Sequence, residues 1–146
     1  MKYIFSFLFV CSFFVSSGQM TMSEMMRVYK MDMDQFETFA LSKGYVFYQL
    51  ENSEDYYGHT YVKGYKENTK YLTLYSRYFS YGNEVTYQTS NSNEYLNFKN
   101  QLKNFGFSLY LSKTFEDKPV KKYRNSIWEI SIITIENGYE INLRKF

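Results

Sequence analysis

The sequence has one cysteine, one histidine, one tryptophan, one proline and a single alanine, Ala40. The first two scarcities exclude the most chemistry. Cys11 lies in an N-terminal leader, so a chain that has lost residues 1–18 carries no thiol. That rules out a disulfide staple, a thiolate nucleophile and a thiolate metal site in the exported product. His59 has no second histidine or thiolate with which to share a metal. Its neighbours Tyr57, Gly58, Thr60 and Tyr61 supply neither a nucleophile nor an orienting acid, so it is read as an ordinary strand histidine. A glycine-rich phosphate loop, a nucleophile elbow and a paired-histidine motif are all missing.

Charge of one sign is also lacking. The formal net charge is +2, far from the concentrated basic stripe of a nucleic-acid footprint, so no nucleic-acid partner is expected. The balance shifts along the chain, however, from 7 basic and 9 acidic residues over 20–90 to 9 and 6 over 91–146. Lys118, Lys121, Lys122 and Arg124 form a basic cluster beside Pro119. It reads as a solvated strand edge, where lysine discourages unwanted pairing; contact with an acidic partner is the alternative.

Residues 1–18 read as a secretory signal peptide. Lys2 gives a short basic start, Tyr3 to Val15 is almost wholly apolar, and Ser16-Ser17-Gly18 supplies small residues for cleavage before Gln19. No later apolar run approaches a membrane span of about 18–20 residues. The expected product is a single α+β domain over residues 19–146, exported to the periplasm or beyond the cell, with no membrane span after cleavage.

What the chain has in abundance is Tyr and Phe, 17 and 14 of each, and a self-similar pattern. Gly82, Glu84, Val85 and Tyr87 recur 56 residues later as Gly138, Glu140, Ile141 and Leu143; Phe36 and Gly44-Tyr45 recur 62 residues on as Phe98 and Gly106-Phe107. Tyr71, Leu72 and Leu74 recur at the 56-residue offset as Ile127, Trp128 and Ile130, so the changed offset places one length difference in a loop between Gly44 and Tyr71. The pattern therefore predicts two tandem copies of a helix followed by an antiparallel meander, about residues 21–89 and 92–146. The copies should form one continuous antiparallel sheet with helices on one face.

Local signals set the elements. Thr21 and Glu24 fit a capping box for a short helix to about Lys30, an extra element of the first copy. Asp34 and Glu37 are read as starting a second helix, Gln35 to Lys43, stopped by Gly44; Asn91 and Glu94 start a third, ended by Gly106. Strands are expected over 45–50, 57–65, 70–79, 85–89, 107–111, 120–124, 127–135 and 139–143, with hairpin turns at Tyr81-Gly82-Asn83 and Asn137-Gly138. The core is expected to include Phe98, Leu102, Phe105, Trp128, Ile130, Ile132 and Leu143. The order helix–turn–helix then antiparallel sheet resembles that of small envelope and inhibitor domains such as the β-lactamase-inhibitor scaffold, a likeness of topology across the duplicated core.

Three places could carry function. Tyr57, His59, Tyr61, Lys63 and Tyr65 alternate along one strand, large side chains to one side and Gly58, Thr60, Val62 and Gly64 to the other. The small side would leave room for a helix, and the large side would present tyrosine rings to a partner. Met20, Met22, Met25, Met26, Met31 and Met33 crowd into one segment. Helical spacing makes them packing residues or a docking helix, and the alternative is Cu(I) held by Met20, Met22, Met25 and Met26. Glu51, Glu54 and Asp55 are close enough to serve a carboxylate-only hydrolase. Together these features predict an exported, non-enzymatic protein without a cofactor that binds a protein or glycan. An inhibitor or immunity-type protein is the alternative, and a carboxylate hydrolase the third reading.

Overall fold

The computed structural model describes residues 19–77 and 82–146, apart from the side chain of Glu67. The signal-peptide reading of residues 1–18 and the Tyr81 part of the Tyr81-Gly82-Asn83 turn lie outside them. Within the described residues the chain is mixed α+β: three α-helices and one eight-stranded antiparallel sheet. The helices are α1 (Met22–Val28), α2 (Met33–Ser42) and α3 (Ser92–Asn104). The strands are β1 (Val46–Asn52), β2 (Tyr56–Lys63), β3 (Lys70–Arg77), β4 (Asn83–Thr89), β5 (Ser108–Phe115), β6 (Lys118–Arg124), β7 (Trp128–Ile135) and β8 (Gly138–Lys145). Their order in the sheet is β1-β2-β3-β4-β8-β7-β6-β5, so β4 and β8 form the central seam and β1 and β5 the edges.

Capping decides where the helices begin. Thr21 and Glu24 form the reciprocal capping box read from the sequence. For α2 the device sits two residues earlier than Asp34–Glu37. Asp32 accepts from the Gln35 backbone N–H at 2.8 Å while the Gln35 side chain accepts from the Asp32 N–H at 3.3 Å. Gln at the third helical position serves as well as Glu, and the earlier start frees Asp34 and Glu37 to face solvent. Gly44 and Gly106 follow α2 and α3 with φ of +79° and +72°, the left-handed conformation that ends a helix cheaply only with glycine. The β5–β6 hairpin was hidden from sequence reading, which stopped the strand at Leu111. Its turn is Glu116-Asp117, with φ of +49° and +60°, a primed geometry that Asn-Gly or Asp-Gly would have announced. Pro119 sits in the β6 segment that pairs with β5 but not β7, so its missing N–H costs no hydrogen bond.

All three helices lie on one face. α2 packs on β3, α3 on β4 and α1 against α3. Residues of β2, β3, β4, β8 and β7 meet them: Tyr61, Leu72 and Leu74, Val85 and Tyr87, Ile141 and Leu143, Ile130 and Ile132 are all at most 3% exposed. Of the core expected from sequence, Phe98, Leu102, Trp128, Ile130, Ile132 and Leu143 are buried and Phe105 is partly so. The Ile-rich β7 is the most buried strand of its meander, although Ile133 and Ile135 point to the other face and are half-buried. α1 is tied to the second half of the sheet. Tyr29, its C-cap, meets Trp128 edge to face at 4.8 Å, and the Met22 N–H donates to Gln101 of α3 at 3.1 Å. Beneath α3, Glu94 does not reach back to close its capping box. It turns inward to accept from Tyr87 and Thr89 at 2.8 and 2.9 Å and to pair with Lys70.

Leu102 is 3% exposed in the helix–sheet interface. Leu102→Ala is expected to cost about 2–5 kcal/mol in urea unfolding, the range for a buried leucine whose cavity only partly collapses. A change below about 0.5 kcal/mol would place this face of α3 in solvent.

Candidate functional site

Of the five residues that sequence reading put on a presented face of β2, the four within the strand share the face that meets the helices. Tyr61 is 1% exposed and packs edge to face on Phe36 of α2 at 5.3 Å. Lys63 donates to the Lys43 carbonyl at the end of α2 at 2.5 Å. Tyr57 and His59 are half-buried, their rings 6.4 Å apart, and Tyr65 lies beyond the strand, 77% exposed. The expectation that the small side would receive the helix is corrected. A period of two says which residues share a face but not which face is covered. Tyr61 removes far more apolar surface from water than Thr60 could, so the large side goes inward.

The small side is the floor of a trough. The face without helices carries a row of short polar residues running across the strands: Thr60 opposite Thr73, Thr73 opposite Thr86, Thr86 opposite Asn142, and Asn142 opposite Ser131. Thr60 and Thr73 share a hydrogen bond of 2.9 Å, and Thr86 donates to Asn142 at 2.6 Å. Although no helix covers them, Thr60, Thr73 and Thr86 are only 5–8% exposed, because taller neighbours wall them in. Over β1–β4 those walls are two edge-to-face tyrosine pairs, Tyr48–Tyr71 at 5.4 Å and Tyr56–Tyr75 at 5.2 Å. The open cleft between them is about 630 Å³. Gly58 makes one wall possible, since a Cβ there would stand 2.5 Å from the Tyr75 ring.

Carboxylates line this cleft, each already engaged. Glu51 accepts from Gln49 at 2.7 Å, Glu84 pairs with Arg77 at 2.9 Å, and Glu140 accepts from Gln88 and Asn142 at 2.8 and 3.0 Å. Burial, and after it the nearby Glu51 carboxylate, pushes the Tyr75 hydroxyl well above the ordinary tyrosine range, so it stays a neutral donor. Of the trio considered for hydrolysis, only Glu51 lines the cleft; Glu54 and Asp55 are exposed at the β1–β2 turn.

Over β5–β8 the same face is basic and organised around one acid. Glu129 is 3% exposed, yet four side chains converge on it. Arg144 donates through Nε and Nη2 at 3.0 and 2.6 Å, Lys122 lies at 3.4 Å, Arg124 at 3.6 Å, and Tyr110 donates its hydroxyl. Arg124 is also held between the Tyr110 and Phe146 rings, its Cζ 4.4 and 4.5 Å from their centroids. Burial alone would raise the Glu129 pKa. The Tyr110 and Arg144 hydrogen bonds, with the Arg144 and Lys122 charges, outweigh it and bring the pKa down to about 2. The basic cluster seen in the sequence is split by the pleat: Lys118, Lys122 and Arg124 share the open face and Lys121 points the other way.

The methionines go to the core. Met20, Met22, Met25 and Met31 are buried and Met26 and Met33 packed against them, so α1 docks on this chain's own sheet and helix rather than standing free for a partner. Among the described residues no helix is long and apolar enough to cross a membrane.

No protein-family model, curated protein or solved structure matches the chain. The resemblance in element order to the β-lactamase-inhibitor scaffold therefore stands without a matching structure. What defines the protein's class is a sheet with one helix-covered face and one open, walled face.

Two expectations test this face. Gly58→Ala should displace the Tyr75 ring and destabilise by about 1–3 kcal/mol, read as a lower urea midpoint and altered Tyr75 ring resonances. The lowered pKa of Glu129 means the native state binds fewer protons than the unfolded chain between about pH 2 and pH 4.5. The stability it contributes is complete above about pH 4.5 and vanishes as pH falls through about 2, roughly 3 kcal/mol in all. The stability gap between wild type and Glu129→Gln should therefore narrow from pH 6 to pH 2 in urea titrations. A gap independent of pH would leave Glu129 uncoupled from its cations.

Proposed function

We propose that this chain is an exported, non-enzymatic binding protein that recognises another macromolecule in the envelope or outside the cell through the open face of its sheet. The observation that carries the reading is the walled trough. Buried threonine hydroxyls form its floor and two edge-to-face tyrosine pairs form its walls. Tyrosine offers large contact area for little rotamer entropy, and the paired rings are already held in place, so little ordering remains for a partner to drive. Export rests on the leader-like residues 1–18 and the absence of any thiol after Cys11.

The same reading takes the chain as two tandem copies, α2 with β1–β4 and α3 with β5–β8. Gly44 and Gly106 end the two helices, and each edge strand carries a bulge at its second or third residue, around Tyr48 and Tyr110. At the seam Val85 faces Leu143 and Tyr87 faces Ile141, and an offset of 56 residues turns each pair into the other. On this reading the two halves of the open face are diverged versions of one surface. Tyr48 and Tyr110 are equivalent, and the Thr60–Thr73 pair stands where Lys122 and Ser131 stand in the second half.

Affinity capture with the full chain from native envelope and secreted fractions tests the reading. Tyr71→Ser with Tyr75→Ser should abolish capture of a partner while shifting the melting temperature by only a few degrees; Tyr61→Ser should instead lower stability strongly. Capture unchanged by the Tyr71 and Tyr75 substitutions would remove the trough from the function.

A further inference from the structure

We infer that the β5–β8 half of the open face is a subsite for carboxylates, and that the macromolecule bound there is a protein presenting acidic side chains beside apolar ones. The inference rests on reading the open face as a recognition surface. Three cations surround the single buried carboxylate of Glu129, so the cluster retains a net positive charge after its internal pairing. The arrangement is preorganised: Arg144 is fixed by two hydrogen bonds and Arg124 by two rings, both side chains remaining close to half exposed. An incoming carboxylate would thus meet donors whose entropy is already lost. Beside the cluster lies a recess of about 260 Å³ where Lys113, Lys122 and Arg144 stand with Phe115, Val120 and Ile133; Glu84, whose charge is already paired with Arg77, borders it on the side of the tyrosine cleft. Cations bordering an apolar wall suit a carboxylate carried on or next to an apolar side chain.

The opposite half of the same face argues against a long polyanion. Glu51, Glu84 and Glu140 line the tyrosine cleft, so a nucleic acid or sulfated glycan lying along the trough would have like charge beneath it. A protein surface of mixed charge has no such conflict. Its acidic residues would lie over β5–β8 and its neutral, hydroxylated or basic residues over β1–β4, which also fixes the orientation in which it docks.

The test is a titration of the isotopically labelled full exported chain with a blocked six-residue peptide of alternating glutamate and leucine, followed by amide resonances. Saturable shifts are expected at Lys113, Lys122, Ser131 and Asn142. Affinity should fall at least fivefold in Lys113→Glu, an exposed edge position, and in Lys122→Met. It should also weaken steeply with added salt. The matched lysine–leucine peptide should give no saturable response. Absence of saturable shifts, shifts centred on β1–β3, or equal or tighter binding of a single-stranded DNA 12-mer or of phosphatidylglycerol vesicles would overturn the inference. Partner capture that depends on Tyr71 and Tyr75 but ignores Lys113→Glu and Lys122→Met would overturn it while leaving the broader reading intact. Peptide binding as expected, with capture indifferent to the tyrosines, would instead sink the trough and leave the carboxylate subsite standing.

Discussion

The pairing of β4 with β8 is the contact on which the rest of the structure depends. Two four-stranded meanders, each with one helix, would expose four sheet edges and bury too little to be stable. Joined through Val85–Leu143 and Tyr87–Ile141 they become one sheet with two edges. Those four side chains are at most 1% exposed, so the seam lies at the centre of the core. α3 packs on β4, and α1 reaches across α3 to Trp128 on β7, so helix cover extends over both halves. The one-sided layout follows from supply: three short helices can cover one face of eight strands and not two.

A bare face on so wide a sheet must solve its own hydration problem. In the first half it does so by mutual shading, tyrosine over threonine. In the second it does so with charge, arginine and lysine over a buried glutamate. The two solutions differ in what they offer a partner. Rings and hydroxyls give contact area with modest directionality, whereas preorganised cations give strong preference for a carboxylate. Placing both on one trough makes the face polar along its length, which suits recognition of a surface in one orientation.

Much of the architecture was legible in advance because local physics fixes it. Thr21 with Glu24, Asn91, Gly44 and Gly106 set helix limits through backbone groups a few residues away. Alternation in Tyr57, His59, Tyr61 and Lys63 marked a strand before any partner was known. The misreadings were equally local. Asp32 with Gln35 competed with Asp34 and Glu37 as a cap, and the Glu116-Asp117 turn lacked the glycine that advertises its geometry. On β2 the period of two was read correctly and the side covered by the helices was not. Tyr57, His59, Tyr61 and Lys63 do share a face, but Tyr61 is core and the presented rings are Tyr48, Tyr56, Tyr71 and Tyr75.

By itself the sequence determined most of the helix and strand positions and which residues of a strand share a face, since each depends on neighbours within a few residues. Only the tertiary structure decided which face the helices cover, because that is a competition in buried area between the two sides of every strand at once. It alone also brought Glu129 together with Lys122, Arg124 and Arg144, and Thr60 with Thr73 and Thr86. Those residues come from different strands, and strand register, which no local pattern encodes, sets them side by side.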